Sequence, residues 1–574
     1  MNIYRISSKT LGRALAAAVL AAASAAMTGC DDFLDEPVTG NSTVDNFYDT
    51  TYKLQAALNA TYDILQSDKI QDSDLRFGES LADDVVGDDE GLTSHLGQLV
   101  NFRFNTSNPY IADRWKVYYS AIHRANQVIA NIDRCRLSDT ETDSYRAVRE
   151  IYGQAKFLRA LFYFNLVKTF GGVPIRPETE TVGNLVIPRS TLEECYAYIE
   201  KDLREAAIML PRSYTSANSG KASSAAATAL LMKVLMYQAE PGVRSDKWEE
   251  IARLGDYFVK GKSLSFGQIL RFDERYSDTD WKTLRRSLWF KPEEHLLESE
   301  TAETLDTPCP DLTGAYSLEY KDAYGNDISY DQQWYSQGEF CRGSIFEIVF
   351  KESADGTSGD TNEGGYIFSD LFPVSNFTQP VWTTDQIVEA IFGTDVRRSF
   401  TIGHHETTPD KENTEIGMGH VLSLKWYTPI KDRPTYGGDS GKNRRYIRYA
   451  EVVLIYAEAL NECGRMADAL EQLNSNQQQV NTISNGGVKL SVAGGYGYLR
   501  NEIWTERRRE LCFEFDRFFD IVRQRRAAKV LHNFATTVNN HRGQFFREGV
   551  NEIFPIPQTE IDISNGVVTQ NPGY

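Results

Sequence analysis

Apolar residues recur at steps of three and four along several stretches of the chain. In RWKVYYSAIHRANQVIANID the repeated positions are Trp115, Tyr118, Tyr119, Ile122, Asn126, Ile129 and Ile132. This spacing places them on one face and predicts an amphipathic helix. Asn126 interrupts the apolar face. We expect its amide to bond a neighbouring helix or loop end, because a buried amide left unpaired costs about 1–3 kcal/mol.

The same periodicity recurs on both sides of glycine-rich breaks, which predicts helices in pairs. A stripe of Leu54, Leu58 and Leu65 lies near the amino terminus, and a later helical pattern ends at GGVP. In YAEVVLIYAEALNECGRMADALEQLN two stripes flank Gly464, and small alanines allow two helices to approach closely. That spacing resembles a tetratricopeptide repeat. The sequence therefore predicts a mainly α fold built on a helical-pair scaffold.

The pattern changes between Gly261 and Gly441. Aromatic residues, glycines and aspartates there alternate with short apolar runs. The run SIFEIVF predicts a strand from Ile345 to Phe350. We therefore expect the scaffold to carry a long, irregular, loop-rich segment.

The first 30 residues have the order of a secretory signal. Arg5, Lys9 and Arg13 precede a small-apolar run, and the stretch Ala14 to Met27 has 14 residues, whereas a spanning helix needs about 20. The following MTGC resembles a bacterial lipobox, in which cleavage leaves a diacylated Cys30 at the new amino terminus. An ordinary signal peptide with a chance cysteine is the alternative. The sequence predicts a lipid anchor at Cys30 and no spanning segment in the mature chain.

Charge and cysteine content narrow the class of protein. The formal net charge of −19 repels nucleic acid and anionic lipid, so we expect no nucleic-acid partner. Seven cysteines are too few for a disulfide framework, and no CxxC supports a zinc site. Cys309 and Cys341 lie in loop-rich sequence and could pair. Four others, Cys135, Cys195, Cys463 and Cys512, fall in helical patterns and are expected to be small buried residues.

Three short motifs mimic those of enzymes without completing them. In GDYFVKGKS five residues separate Gly255 from Gly261, whereas a phosphate loop needs four. GGDSGK around Ser440 has no partner histidine that spacing can assign, and HHE at 404–406 lacks the separation that puts two histidines on one helix face. We therefore predict no enzymatic activity and no required cofactor.

Two charged clusters have a functional and a structural interpretation. In DDVVGDDEG the carboxylates of Asp83, Asp84 and Asp88 are weak candidates for calcium, but the spacing does not match an EF-hand, and a solvated acidic loop is favoured. ERRRELCFEFDRFFDIVR is dense in opposite charges. We interpret it as ion pairing between scaffold helices, packed by Phe513, Phe515, Phe518 and Phe519.

Several stretches together resemble the SusD-like (SusD/RagB) lipoproteins of the Bacteroidota outer membrane. They occur in that family's order and are DNFYDTTYKLQAALNATYDIL, the helix from Trp115 to Asn126, AKFLRALFYFNLVKTFGGVPI, IPRSTLEECYAYIEKDLREA, IRYAEVVLIYAEALNECG, ERRRELCFEFDRFFDIVR, IFPIPQTEI and TQNPGY. The sequence departs from the family's pattern after Asn474, where it reads SNQQQVNTI. It also departs between Trp281 and Gly343, which is longer than usual.

The resemblance implies a surface-exposed outer-membrane lipoprotein that captures glycan and delivers it to a SusC-like TonB-dependent transporter. Peptide capture of the RagB type, and less readily a surface hydrolase, are the alternatives. The predicted divisions are a signal peptide at 1–29, a lipidated tether at 30–50, a helical scaffold at 51–260, a loop-rich ligand-binding region at 261–440, and a C-terminal helical-pair scaffold with a closing segment at 441–574.

A sugar site needs exposed aromatic platforms edged by polar groups. Aromatic residues outside the helical stripes are Phe102, Phe104, Tyr110, Tyr316, Tyr320, Tyr324, Tyr330, Trp334, Tyr335, Tyr366, Phe372, Phe377 and Trp382. Packing within small loop cores is the alternative role for each. From this set the predicted ligand-binding residues are Trp334, Tyr335, Trp382, Tyr366 and Phe102, with Asn101 and Arg76 as polar neighbours.

Overall fold

The structure of the chain is a computed structural model. It describes residues 47–86, 93–135, 142–181, 183, 185–214, 220–271, 305–350, 383–403, 422–426, 441–481, 494–537 and 542–574. Cys30 and the predicted signal therefore lie outside the described residues.

Helices dominate the described chain. The first nine are α1 Thr51–Gln66, α2 Asp68–Leu75, α3 His95–Val100, α4 Pro109–Ala130, α5 Thr142–Phe170, α6 Leu192–Met209, α7 Ser224–Gln238, α8 Asp246–Lys260 and α9 Phe266–Leu270. The later ones are α10 Asp385–Phe392, α11 Arg398–Thr401, α12 Tyr449–Glu462, α13 Met466–Asn481, α14 Gly495–Leu511, α15 Arg517–Arg523, α16 Ala527–Thr537 and α17 Gln558–Ile563. A π-helical turn, Arg76–Ser80, follows α2, and 3₁₀ turns occupy Ile132–Arg134, Gln332–Trp334 and Ser336–Gly338.

Local sequence fixes the ends of these helices. The Thr191 hydroxyl accepts from the Glu194 N–H at 3.1 Å, and the Glu194 carboxylate accepts from the Thr191 N–H at 2.8 Å, which together cap α6. Asn108 caps α4, whose first residue is Pro109. Gly464, with φ of 83°, separates α12 from α13 at the predicted break.

The helices pack as successive pairs. Contacts run from α4 to α5, α6, α7 and α8 in chain order, and α7 and α8 also pack on α12, which packs on α13 and α14. The predicted apolar stripe of α4 faces this core, since Tyr118 and Ile122 are buried. Where α8 crosses α12, a Cβ on Gly255 would come within 2.0 Å of the Tyr456 ring. The structure thus confirms the mainly α, tetratricopeptide-like scaffold.

Two short antiparallel pairs account for the strands of the described chain. These are β1 Ser344–Ile348 with β4 Arg444–Arg448, and β2 Ile402–Gly403 with β3 Leu422–Ser423. In the first pair Ser344 lies opposite Arg448 and Ile348 opposite Arg444. The strand predicted at Ile345–Phe350 is confirmed, although it begins one residue earlier and ends two earlier. It joins the irregular middle of the chain to the C-terminal helices.

Buried ion pairs hold the C-terminal helices, as the charge pattern predicted. The Arg397 guanidinium is 1% exposed and bonds to Asp395, Glu506 and Glu510 at 2.8–3.0 Å. The Arg507 side chain bonds Glu451 and Asp520, and all four predicted phenylalanines are buried. Breaking such a pair is costly because it leaves an uncompensated buried charge.

A second ion cluster ties α8 to the α12–α13 turn. Asp256 bonds Arg465, Lys262 and the Tyr456 hydroxyl. Burial raises the pKa of Asp256, but these hydrogen bonds outweigh it and bring the pKa down to about 2. The cluster therefore stabilises the scaffold most where Asp256 is ionised.

Two further predictions have outcomes in the structure. Asn126 donates to the carbonyls of Arg176 and Pro177 and accepts from Arg159, which confirms its structural role. Cys309 and Cys341 are both free, buried thiols. Among the described residues, no helix combines the length and apolar character needed to cross a membrane.

Candidate functional site

A cleft of about 190 Å³ lies between the scaffold and the irregular middle of the chain. One wall comes from the connection between α6 and α7 and carries Tyr214 and Lys221. The other comes from the segment that leads into β1 and carries Tyr316, Phe340 and Arg342. We call this site, defined by these five residues, the tyrosine cleft.

Tyr214 is fixed by a hydrogen-bond network at the base of the scaffold wall. Its hydroxyl donates to the Glu150 carboxylate at 3.2 Å and accepts from the Gln154 amide at 3.4 Å. The Tyr62 hydroxyl also donates to Gln154, and it accepts from the Ala222 N–H. Burial, reinforced by Glu150, raises the pKa of Tyr214, which keeps it a neutral donor. The ring is therefore held in place before any ligand arrives.

Tyr316 is held from the opposite wall. Its ring meets Phe258 of α8 edge to face, with the centroids 6.4 Å apart, and it lines the cleft together with Ser223. Burial raises the pKa of Tyr316. The next residue, Ser317, donates its N–H to the Arg342 carbonyl at 3.0 Å. This hydrogen bond joins the two segments, around Tyr316 and around Arg342, that form this wall.

A tight hairpin over residues 320–328 stands at the rim of the cleft. The Ile328 N–H donates to the Tyr320 carbonyl, and the Asp322 carboxylate accepts from the Tyr324 and Asn326 N–H groups at 2.9 and 2.8 Å. Gly325 takes φ of 90° at the tip. Tyr324 is 84% exposed there, and its neighbour Ala323 lines the cleft. The hairpin thus presents an aromatic ring to solvent beside the cleft.

Phe340 and Gly220 bring the two walls together. Phe340 has φ of 55°, and its N–H donates to the Glu347 carboxylate at 2.7 Å, which anchors this uncommon conformation. A Cβ on Gly220 would lie 2.6 Å from Val349 and 3.9 Å from the Phe340 ring. A side chain at position 220 would therefore narrow the cleft.

These features suit a pyranose better than a small polar metabolite. Tyrosine faces contact the C–H faces of sugars, while hydroxyls, backbone groups and cations at the edges satisfy the sugar's oxygens. A larger open groove of about 970 Å³ runs along α8 and α9, but no aromatic ring is among its described lining residues. We therefore place the candidate site in the tyrosine cleft.

The structure corrects the prediction for Trp334. Its indole is 3% exposed, and the Lys425 ammonium and the Arg448 guanidinium each lie 4.8 Å from the ring centre. A ring buried to this extent presents no exposed face to a sugar. Tyr335, the adjacent predicted residue, is half-buried, and its carbonyl accepts from Arg445.

The residues predicted before the Trp115 helix all make contacts within the protein. Phe102 is buried and packs edge to face on Phe546 at 5.0 Å. Asn101 is buried and donates to the Gly97 carbonyl at 2.7 Å, which closes α3. Arg76 is half-buried and pairs with Asp72 at 3.0 Å. The expected exposure of Phe102 and Asn101 was wrong, because core packing and helix capping bury them, whereas the ligand role of Arg76 stays a prediction.

Trp382, Tyr366 and Asp88 lie outside the described residues. The other two calcium candidates are ion-paired. Asp83 bonds Arg508 and Arg517, and Asp84 bonds Arg508 at 2.8 Å. Within the described chain, no group of three or more His, Cys, Asp or Glu side chains could hold a metal ion. Asp83 and Asp84 are buried, and their ion pairs join this stretch to the C-terminal helices, so the favoured interpretation of a solvated acidic loop was wrong for these two residues.

The sequence contained a partial signal for the tyrosine cleft. Tyr316 and Tyr324 belong to the loop aromatics considered above, and a glycine follows Tyr324, as at the tip of a turn. Tyr214, Lys221 and Arg342 were missed. They lie far apart in sequence, and only the packing of α7 against β1 brings their walls together.

Comparisons with known proteins identify the family. A model described as "Starch-binding associating with outer membrane" matches residues 32–236, and the model of the SusD family matches residues 384–574. A SusD-like protein of Formosa agariphila is 25% identical over 556 residues, covering 96% of this chain and 97% of the relative. A SusD-like protein of Bacteroides ovatus is 28% identical over 258 residues, 44% of each chain. The chain belongs to the SusD-like family.

Solved structures show the same fold. A laminarin-binding SusD-like protein matches with a TM-score of 0.65 at 22% identity, covering 92% of this chain and 100% of the other. Surface glycan-binding protein A from Bacteroides thetaiotaomicron, in complex with laminarihexaose, matches with a TM-score of 0.63 at 21% identity, covering 91% and 99%. These likenesses confirm the fold class.

Proposed function

We propose that this protein is a non-enzymatic, cell-surface glycan-binding lipoprotein that captures oligosaccharide or polysaccharide in the tyrosine cleft. It then delivers the glycan to a partner SusC-like, TonB-dependent transporter of the outer membrane. The observation that carries the proposal is the exposed ring of Tyr324, which lies on a hydrogen-bonded hairpin at the rim of the cleft. The two tyrosines that line the cleft, Tyr214 and Tyr316, are held in place by contacts within the protein. Preorganised rings lose little freedom on binding, which favours capture of a flexible sugar chain.

The composition of the cleft supports binding over hydrolysis. Glycoside hydrolysis depends on two carboxyl groups on either side of the scissile bond. No carboxylate is among the lining residues described for the tyrosine cleft. Incubation of the purified protein with candidate polymers should therefore leave their chain lengths unchanged, while calorimetry detects binding. Shortened products would contradict the non-enzymatic assignment.

The same calorimetric panel separates glycan from peptide capture. We expect at least one oligosaccharide to bind and mixed peptides of similar size to give no heat. Peptide binding at the tyrosine cleft, with no response to any glycan, would instead support the RagB type of importer subunit.

The anchor is tested independently of the ligand. We propose that acylated Cys30 holds the body at the outer membrane, since each buried CH₂ contributes about 0.8 kcal/mol. Cys30→Ala should release the protein into the soluble fraction. Retention of that variant in the outer membrane would contradict lipid anchoring.

Delivery requires a second protein. We propose a SusC-like barrel, and tethering beside it would keep this body at high effective concentration. Mild detergent extraction of native membranes should recover the two proteins together. Recovery of this chain alone under several detergents would contradict the partnership.

A further inference from the structure

The tyrosine cleft carries positive charge on both walls of an acidic protein. Lys221 lines it from the scaffold side and Arg342 from the side of β1, while the whole chain has a net charge of −19. Among the lining residues described, these two are the ionic groups, and both are cations. Across the described chain, neither side chain forms an ion pair within 4.0 Å.

Nearby carboxylates are engaged with other donors. Glu347 accepts from the N–H of Phe340 and from Asn443, and Glu150 accepts from the Tyr214 hydroxyl. On the hairpin, Asp322 accepts from backbone N–H groups and Asp327 pairs with Lys321 at 2.7 Å. Within the described chain, therefore, no ion pair neutralises Lys221 or Arg342, unlike the buried arginines of the scaffold, such as Arg397.

Lys221 lies beside an aromatic ring of the site, and Arg342 lies beside the hairpin that carries Tyr324. The Lys221 ammonium is 6.0 Å from the centre of the Tyr214 ring. The Arg342 guanidinium reaches the hairpin tip, 3.9 Å from where a Cβ on Gly325 would stand, next to Tyr324. A sugar stacked on either tyrosine would place its ring substituents within reach of a cation.

We infer that the ligand of the tyrosine cleft is an anionic glycan, one whose sugars carry carboxylate or sulfate groups. This inference rests on the proposed glycan-binding function and narrows its substrate class. A guanidinium can form two parallel hydrogen bonds with a carboxylate or sulfate, and an ammonium acts as a point charge. A neutral glycan would gain nothing from these charges beyond ordinary hydrogen bonds.

Matched probes isolate the charge of the ligand. Tetragalacturonate is compared with its methyl ester, and a sulfated carrageenan tetrasaccharide with its desulfated form, by calorimetry on the full mature protein. We expect one acidic probe to bind at least about tenfold more tightly than its neutral partner, as two charge-assisted contacts would give. Whichever pair shows the difference identifies the anion as carboxylate or sulfate.

Matched variants isolate the cations. Lys221→Gln and Arg342→Gln should each weaken acidic-probe binding by about threefold to tenfold and leave the neutral partner unchanged. Lys529→Gln is the control, because Lys529 is an exposed lysine on α16, whose packing partner is α15. Arg342 is exposed and Lys221 half-buried, so melting temperatures should not change.

The outcomes also separate this inference from the proposed function. Equal affinity for acidic and neutral partners, with no effect of either cation variant, would overturn the anionic class while leaving glycan binding intact. An equal loss in Lys529→Gln would overturn it too, since the attraction would then be general. If no glycan of either kind binds, the proposed function and this inference fail together.

Discussion

Tyr324→Ala removes the exposed ring that we propose as a sugar platform. The ring is 84% exposed, and the hairpin bonds that hold it are made by backbone groups and by the Asp322 and Asn326 side chains. Truncation therefore leaves the hairpin's own contacts in place. Since exposed side chains away from such contacts change stability by less than about 0.5 kcal/mol, the melting temperature should stay the same.

The size of the binding loss follows from the contact area. One tyrosine face covered by one pyranose face removes roughly 60 Å² of apolar surface from water, which at about 25 cal/mol per Å² gives about 1.5 kcal/mol. That corresponds to a roughly tenfold higher dissociation constant for the variant. The substitution weakens the bound state alone, because the free Tyr324 ring is 84% exposed and already largely hydrated.

Calorimetry with the tightest-binding oligosaccharide measures this loss. Tyr52→Ala is the matched control, since Tyr52 is 83% exposed but lies at the start of α1. We expect Tyr52→Ala to bind as wild type does. An unchanged affinity in Tyr324→Ala, or the same loss in both variants, would refute the role of the hairpin ring.

Three further predictions concern the scaffold and are tested by thermal or urea denaturation. Arg397→Ala should lower the free energy of unfolding by about 3–5 kcal/mol, because it leaves buried carboxylates without their partner. Arg398→Ala, which removes a surface ion pair, should lower it by at most about 1 kcal/mol. Similar losses in the two variants would contradict the burial argument. Gly255→Ala should lower the free energy of unfolding by about 1–3 kcal/mol, because the added methyl group overpacks α8 against α12. A Cβ added at Gly497 meets nothing within 4 Å, so Gly497→Ala should be neutral or stabilising. Because the pKa of Asp256 is lowered, its contribution to stability is complete above its ordinary pKa near 4 and is lost as pH falls towards 2. Asp256→Asn should therefore flatten the dependence of the free energy of unfolding on pH in this range. Parallel profiles for the variant and the wild type would refute this contribution.

Periodicity predicted the scaffold well because helix faces follow from local sequence. The stripe around Tyr118 and Ile122 is buried as expected, and the break at Gly464 falls where a left-handed residue is needed. Asn126 was assigned correctly for a different reason, since a polar residue on a buried face must find partners. The charged helices near Arg507 were assigned correctly for the same reason.

The candidate site was harder to predict because exposure is not a local property. Trp334 and Phe102 have the pattern of loop aromatics, but long-range packing buries Trp334 beside two cations and Phe102 against Phe546. Tyr324 is also an aromatic residue in a loop, but it is exposed because it lies at the tip of a hairpin. Sequence pattern alone does not distinguish these cases.

A crystal structure of the protein with its tightest-binding oligosaccharide tests the proposed glycan site most directly. Binding in the tyrosine cleft predicts a pyranose ring stacked on Tyr316, or on Tyr324 at the rim of the cleft, at roughly 4 Å, the distance of favourable carbon contacts. A glycan bound at another surface, with the tyrosine cleft empty, would contradict the assignment of the site.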